Sequence, residues 1–292
     1  MFENIKKNKI KTGAIISIFI LIITLITYYI CMAFDLGYMS IIVALIFSIG
    51  SAFLSYYNCD KIVLSMNNAR PATEEEFKKL NNILDSLMIS SGLQFRPKLY
   101  VVEDNQPNAF ATGRDPEHSV ICVTSALLDK LDYYELEGVL AHELSHIANY
   151  DIRLSAIVTV MVGVIVMLSD MFTRSFMYHD RDSDSDNNGN AFLMLLGLIC
   201  LIISPIFAKL LQLAVSRRRE YLADATAVQF TRNPDGLISA LIKISSDPNE
   251  LYNASKSTAH MYISNPFRDK KTNLFSTHPA IEDRIEALKN IK

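Results

Sequence analysis

His142, Glu143 and His146 stand within five residues in the order His-Glu-x-x-His, behind the apolar run Gly138-Val139-Leu140-Ala141. On an α-helix, positions i and i+4 share a face, so both imidazoles can reach one Zn2+. Glu143 sits one step round, within reach of a water on such an ion, where a carboxylate serves as general base. The competing reading is two buried structural histidines beside a buried glutamate. A buried carboxylate without a cationic partner is costly, which disfavours that reading.

The helix needed to carry these residues is legible. Asp132-Tyr133-Tyr134-Glu135 forms a capping box, and Leu136, Val139, Leu140 and Ile147 supply a core face. Upstream, Thr73-Glu74-Glu75-Glu76 opens a second helix. Phe77, Leu80, Ile83, Leu84, Leu87 and Met88 lie on one of its faces, and it ends near Gly92. The β-branched runs Leu99–Val102 and Val120–Thr124 predict strands of a small sheet, with Asn108-Ala109-Phe110-Ala111-Thr112-Gly113 between them. No internal repeat is present.

The chain has 292 residues, half of them apolar, and a formal net charge of −3, which gives no electrostatic case for nucleic-acid binding. The apolar residues concentrate in four segments: Gly13–Phe34, Tyr38–Tyr57, Leu154–Phe172 and Ala191–Val215. Each is long enough to span a bilayer. Asp170 lies near the end of the third, and Pro205 and Lys209 interrupt the fourth. Only Asp35-Leu36-Gly37 separates the first two, so they predict a tight hairpin. Tyr28, Tyr29, Phe34, Tyr38, Tyr56 and Tyr57 lie near segment ends, as an interfacial aromatic belt does. The first segment is too long for a signal-peptide core, and no A-x-A-like site follows it.

Orientation follows from Lys and Arg. Lys6, Lys7, Lys9 and Lys11 precede the first segment, Lys61 follows the second, and Arg217, Arg218 and Arg219 follow the fourth. The positive-inside rule places the N-terminus, residues 58–152 and residues 216–292 in the cytoplasm. The domains expected are an N-terminal transmembrane hairpin (1–57), a cytosolic part with the metal-motif helix (58–152), a transmembrane pair joined by an acidic loop (153–215) and a second cytosolic part (216–292). The acidic loop 179–190 contains Asp184-x-Asp186-x-Asn188-Gly189, half of a calcium-loop pattern. Leu195 stands where that pattern needs Glu, so a solvated loop is the expectation. Cys31, Cys59, Cys122 and Cys200 have no CxxC spacing and read as small buried hydrophobes in a reducing compartment.

Catalytic zinc usually takes three protein ligands, so a third is required. His118, His260 and His278 are candidates, and His179 falls on the far side of the membrane by the orientation above. Carboxylates compete. Glu220 and Asp224 stand at i and i+4 after the fourth segment, on one helical face, and the plain alternative for Glu220 is an ion pair with its Arg neighbours. If Glu220 shares an ion with His142 and His146, the third and fourth segments cross the membrane together or not at all.

Nearly the whole chain resembles the HtpX-type membrane zinc peptidases, distant relatives of the CAAX prenyl proteases. The resemblance rests on the hairpin, Asn108-Ala109-Phe110-Ala111-Thr112-Gly113, Ala141–Ile147 with Asn149 and Asp151, Ser216-Arg217 with Glu220-x-x-x-Asp224, and Ser276-Thr277-His278-Pro279 with Arg284. Ala126, where many members carry Gly, is a departure. The resemblance implies an α+β, mainly α, integral membrane protein: a gluzincin-like catalytic domain with a small sheet and about four transmembrane helices. It implies one Zn2+ per subunit, with Glu220 as third ligand and Asp224 orienting His142. His278 is implied to contact the oxyanion, and Arg284 to support that site or a carboxylate. Asn108, Ala109, Phe110 and Ala111 are expected as an edge strand that pairs with extended substrate. The function implied is zinc endopeptidase action on misfolded or damaged membrane proteins, in stress quality control, at the cytoplasmic face of a bacterial inner membrane. A CAAX-type prenyl protease would want more spans to enclose its chamber. A non-enzymatic four-helix transporter or scaffold would want polar residues within the spans, and few are there.

Overall fold

The computed structural model describes residues 2–33, 37, 39–163, 217–252, 257–266 and 279–291. The N-terminal part is a helical hairpin of α1 (Phe2–Ala33) and α2 (Met39–Tyr57), turned at Gly37 with φ +54°. Helix α1 starts well before its apolar segment, because the Lys-rich stretch ahead of it consists largely of residues that favour helix. Within these helices, Asn8–Tyr28 and Met39–Tyr57 are long and apolar enough to cross a membrane. Two such helices are thus seen among the described residues, where four were expected. The third segment is described only as far as helical residues 151–163, while residues 164–216, with the fourth segment and the 179–190 loop, lie outside the described residues.

The side chains of α2 sort by size. Ser40, Ala44, Ser48, Ala52 and Ser55 are buried, whereas Ile42, Ile46, Phe47, Phe53 and Leu54 face outward. Small residues at helical spacing let backbones approach without an apolar driving force. Thr24 of α1 and Ser48 exchange a hydrogen bond at 2.8 Å. Most of each apolar stretch is exposed, and an outward apolar surface this broad marks a contact with membrane or protein. Leu154, Ile157, Val158 and Met161 of stretch 151–163 pack with Ile15, Phe19, Ile22 and Ile23 of α1.

The remaining described residues form a four-stranded sheet with helices on both faces. Its strands are β1 (Arg70–Pro71), β2 (Lys98–Val102), β3 (Ala109–Gly113) and β4 (Ser119–Thr124), in the order β1-β2-β4-β3. β2 and β4 are parallel, and the outer strands pair antiparallel. Side chains alternate between faces, and both faces are buried, which is why β4 reads as a continuous apolar run. Ile121, Val123, Val101 and Ala109 enter the main core. Val120, Cys122, Val102 and Phe110 enter a second cluster with Val63 and Leu64 of α3 (Cys59–Met66). Cys59 and Cys122 are free and buried, and burial pushes the Cys59 thiol up to about 12.

The main core joins α4 (Glu74–Ser91), α5 (Ser125–Lys130), α6 (Tyr133–Ala148), α7 (Arg217–Thr231), α8 (Pro234–Ser246) and α9 (Ile281–Lys289). Both expected capping boxes are present, at Thr73 with Glu76 and at Asp132 with Glu135. Glu135 has a second task. It accepts hydrogen bonds from Ser239 at 2.6 Å and Lys243 at 2.7 Å, tying the start of α6 to α8. Two glycines let these helices touch. A Cβ on Gly138 would lie 2.7 Å from the Leu237 nitrogen, and one on Gly236 would lie 2.5 Å from the Tyr134 carbonyl oxygen. Neither contact is sterically allowed, so any side chain there would push α6 and α8 apart. α6 is thereby clamped along its length, with every residue from Gly138 to Ser145 buried.

Candidate metal centre

Helix α6 carries His142 and His146 on one face, one turn apart, and α7 crosses it with Glu220 pointing at both. Three ligand atoms, one from each residue, lie within 4.8 Å of one another. The two Nε2 atoms are 3.2 Å apart, and each stands 3.7 Å from a Glu220 carboxylate oxygen. A tetrahedral ion with arms of about 2.0–2.2 Å separates its ligand atoms by about 3.3–3.6 Å. The cluster therefore has the dimensions of three corners of such a tetrahedron.

The chemistry of the donors points the same way. His142 Nδ1 faces Asp224 Oδ1 at 2.9 Å, and His146 Nδ1 faces Asp151 Oδ2 at 3.1 Å. A carboxylate at Nδ1 holds the ring proton there and leaves Nε2 as a bare lone pair. Two lone pairs and a carboxylate then converge on one point, an arrangement that repels itself unless a cation stands between them. Two nitrogens and one oxygen suit Zn2+ in a site that keeps an open position. The residues present fit the ion.

Asp224 is held from two sides. Arg284, fully buried on α9, donates from Nε to Oδ2 at 2.8 Å and from Nη2 to Oδ1 at 2.7 Å, while its Nη1 reaches the Ile263 carbonyl at 2.9 Å. Burial raises the Asp224 pKa, but Arg284 and His142 together bring it well below the usual carboxylate range. Arg284 Nη1 also stands 3.9 Å from Glu220. Burial lowers the His142 pKa and outweighs Asp224. Burial also disfavours charge on His146, yet Asp151 and Glu220 overcome it and push that ring up to about 9. Surroundings that hold a proton so firmly favour any positive charge at that point.

Glu143 faces a cavity also lined by Ala111, His146, Ser155, Glu220 and His260. Burial pushes its carboxyl up to about 7. It accepts a hydrogen bond from the Ala111 backbone, and its Oε1 is buried with no hydrogen-bond partner among the described residues. Such an oxygen can take a proton from a water or an amine in the cavity.

His142, Glu143, His146, Glu220, Asp224 and Arg284 thus come together. The other expected residues divide. β3 is an edge strand, but of Asn108–Ala111 only Ala111 lines the cavity. The Asn108 side chain donates to the Ser264 carbonyl at 3.0 Å, and the Ala109 carbonyl accepts from Ile263 N–H at 2.9 Å, so this end of the edge is already covered. Phe110 is buried edge-on against Tyr262, with ring centroids 4.9 Å apart. His278 lies outside the described residues. Asp151, to which sequence reading gave no role, and His260, which it offered only as a candidate third ligand, line the cavity. Asp151 follows the end of α6, so helical periodicity cannot place it. Tyr150, at φ +59°, turns the chain back and delivers it. Arg219, read from sequence only as a topology charge, stands 3.4 Å from Asp151.

Known proteins resemble this chain in sequence and fold. The sequence profile of peptidase family M48 matches residues 74–292. A protein named Protease HtpX homolog from Dictyoglomus thermophilum is 46% identical over 288 residues, covering 99% of this chain and 94% of the relative. One of the same name from Lactobacillus helveticus is 42% identical, with both chains fully covered. Among solved structures, S. mikatae Ste24p is similar in fold, with a TM-score of 0.50 and 19% identity over 99% of this chain and 67% of that one.

The geometry assigns different losses to the two acidic residues of α7. Glu220→Ala should leave no stably bound zinc after mild dialysis. Asp224→Ala should retain zinc with affinity weakened by about 10–100-fold, because all three ligands stay and His142 loses its orienting partner; Arg284 loses its carboxylate as well, so zinc is read on the fraction that remains folded. Metal analysis decides, and a fully loaded Glu220→Ala protein would mean a different third ligand.

Proposed function

The chain belongs to peptidase family M48 and is a metalloprotease, and we propose that it is a membrane-embedded zinc endopeptidase that cleaves misfolded or damaged membrane proteins at a cytosol-facing site. The observation that carries the chemistry is the convergence of His142, His146 and Glu220 beside a buried Glu143 oxygen that has no hydrogen-bond partner among the described residues. Support for the setting comes from the outward apolar faces of α1 and α2 and from the kinship with proteins named HtpX homologues.

In this proposal His142, His146 and Glu220 hold Zn2+, which when bound supplies Lewis-acid activation of water and of the scissile carbonyl. Glu143 takes the proton of the attacking water on its buried carboxylate and delivers it to the leaving amine. Burial raises the proton affinity of this carboxyl, which suits a group that must take a proton before returning it. Asp224, fixed by Arg284, would hold the His142 ring with its Nε2 turned toward Glu220, and Asp151 would do the same for His146. Extended substrate lies along the uncovered part of β3 at Ala111, joined by backbone hydrogen bonds, which favours cleavage with little sequence preference. His278 supplies a hydrogen bond to the developing oxyanion, the role that the resemblance to HtpX-type peptidases gives it. Proteins of the inner membrane and its lipid are the partners, and stress quality control is the setting.

Glu143→Gln separates the base from the metal. The variant should keep its zinc and lose about 10²–10⁴-fold of its activity on casein, the range that general acid–base catalysis contributes. Activity near that of the wild type would remove Glu143 from its role.

The topology follows from the shared site. His142 and His146 precede the third and fourth apolar segments and Glu220 follows them, so the two segments cross the membrane together or not at all; the length of each apolar stretch and the polar 179–190 loop between them favour the double crossing, with that loop outside the cytoplasm. In a cysteine-free background, Ser185→Cys should react with an impermeant maleimide added to spheroplasts, and Ser245→Cys should react only after lysis. Protection of Ser185→Cys until lysis would contradict the double crossing.

A further inference from the structure

Asp151 divides its two oxygens between the metal site and the membrane hairpin. Oδ2 faces His146 Nδ1 at 3.1 Å. Oδ1 accepts from the Asn8 side-chain amide of α1 at 2.7 Å and stands 3.4 Å from Arg219 Nη1. The same Asn8 nitrogen donates to the Asn149 carbonyl at 3.1 Å, so both amide hydrogens are used and the two ends of the turn after α6 are bridged. Asn8, Asn149 and Asp151 are all buried. A second contact grips the same turn: Lys9 Nζ lies 4.9 Å over the Tyr150 ring, and Arg153 stacks on that ring at 5.0 Å.

We propose that Asn8 is a positioning residue for His146, so that the first membrane helix sets the orientation of a metal-binding imidazole through Asp151. The inference rests on the metal-centre reading above. Its physical basis is the kind of donor involved. A carboxylate bound through one oxygen can still swing about its Cβ–Cγ bond. Asn8 fixes the second oxygen and thereby the line along which the first meets the ring. The cationic Arg219 reaches the same oxygen only at 3.4 Å, whereas the neutral amide holds it at 2.7 Å, so the shorter contact fixes the carboxylate without drawing off the charge that keeps the His146 ring electron-rich. Lys6, Lys7, Lys9 and Lys11 surround Asn8 in sequence, so the uncharged amide is the exception in a cationic stretch, and it is the residue placed against Asp151.

The test uses the full-length protein in detergent, with zinc affinity read by chelator competition and ligand geometry read from the visible spectrum of the cobalt-substituted protein. Asn8→Leu keeps the side-chain bulk and removes the donor. It should weaken zinc about 3–10-fold, less than loss of a direct partner of the histidine, and shift the cobalt spectrum. In an Asp151→Ala background, Asn8→Leu should cause no further loss, because the acceptor is already gone. An equal loss in both backgrounds would mean that Asn8 only seats the hairpin, and unchanged affinity in Asn8→Leu would overturn the proposal outright. If Asn8→Leu does not fold, Asn8→Gln and Asn8→Asp carry the test: Gln should bind zinc near the wild-type level and Asp more weakly, and equal affinities would overturn the proposal. A His146→Ala control separates the two readings. Wild-type zinc affinity in that control would sink the metal-centre reading and this proposal with it. Loss of zinc there, with every Asn8 variant unchanged, would sink this proposal alone.

Discussion

Asp224 is a carboxylate almost wholly withdrawn from water, held between the fork of Arg284 and the Nδ1 of His142. Desolvating such a group costs several kcal/mol, and only short, well-aligned partners recover that cost. Both partners are therefore fixed in place, and so is what they touch. Arg284 ties α9 to the Ile263 carbonyl, whose own N–H covers the Ala109 end of β3. His142 ties α6 to α7. One buried charge thus links the helix of the metal motif, the helix of the third candidate ligand, the last helix and the edge strand. Breaking such an arrangement from one side leaves an uncompensated charge, at about 3–5 kcal/mol. The preorganisation of the two imidazoles is a consequence of this constraint.

His146 is held by a different logic. Its partner Asp151 is reached by Arg219 from α7 and by Asn8 from α1, so the second ring is referenced to the membrane hairpin where the first is referenced to the soluble core. The two imidazoles sit one helical turn apart and are supported by different elements, His142 through Arg284 of α9 and His146 through Asn8 of α1. A centre built in this way joins the sheet-and-helix part and the N-terminal hairpin into one mechanical unit. The packing of stretch 151–163 on α1 continues the same seam along the apolar segment.

How much of this was legible in the sequence depended on range. The metal motif, its capping box at Asp132 and the Glu220–Asp224 pair are all local patterns, and a helix alone makes sense of them. The strands near Leu99 and Val120 were legible because β-branched runs bounded by polar residues have few other uses. β1, two residues long at Arg70–Pro71, carries no periodicity and could not be read. Asp151 escaped because a left-handed residue, Tyr150, interrupts the helix just before it, and Asn8 because its partner lies 143 residues away. The edge-strand reading had the strand and its position, while the pairing of its first residues with 263–264 depends on a segment that no local pattern connects to it. Arg219 shows one residue serving two purposes: a charge placed at the expected membrane edge also completes the support of a buried carboxylate.

The central claim is that two imidazoles and one carboxylate of this chain hold a single zinc ion. X-ray absorption at the zinc K edge of the metal-loaded protein tests it most directly. The account predicts four-coordinate zinc with two imidazole nitrogens at about 2.0–2.1 Å, light oxygen neighbours at about 2.0–2.2 Å and no sulfur. A sulfur neighbour at about 2.3 Å, or scattering from a single imidazole, would contradict it.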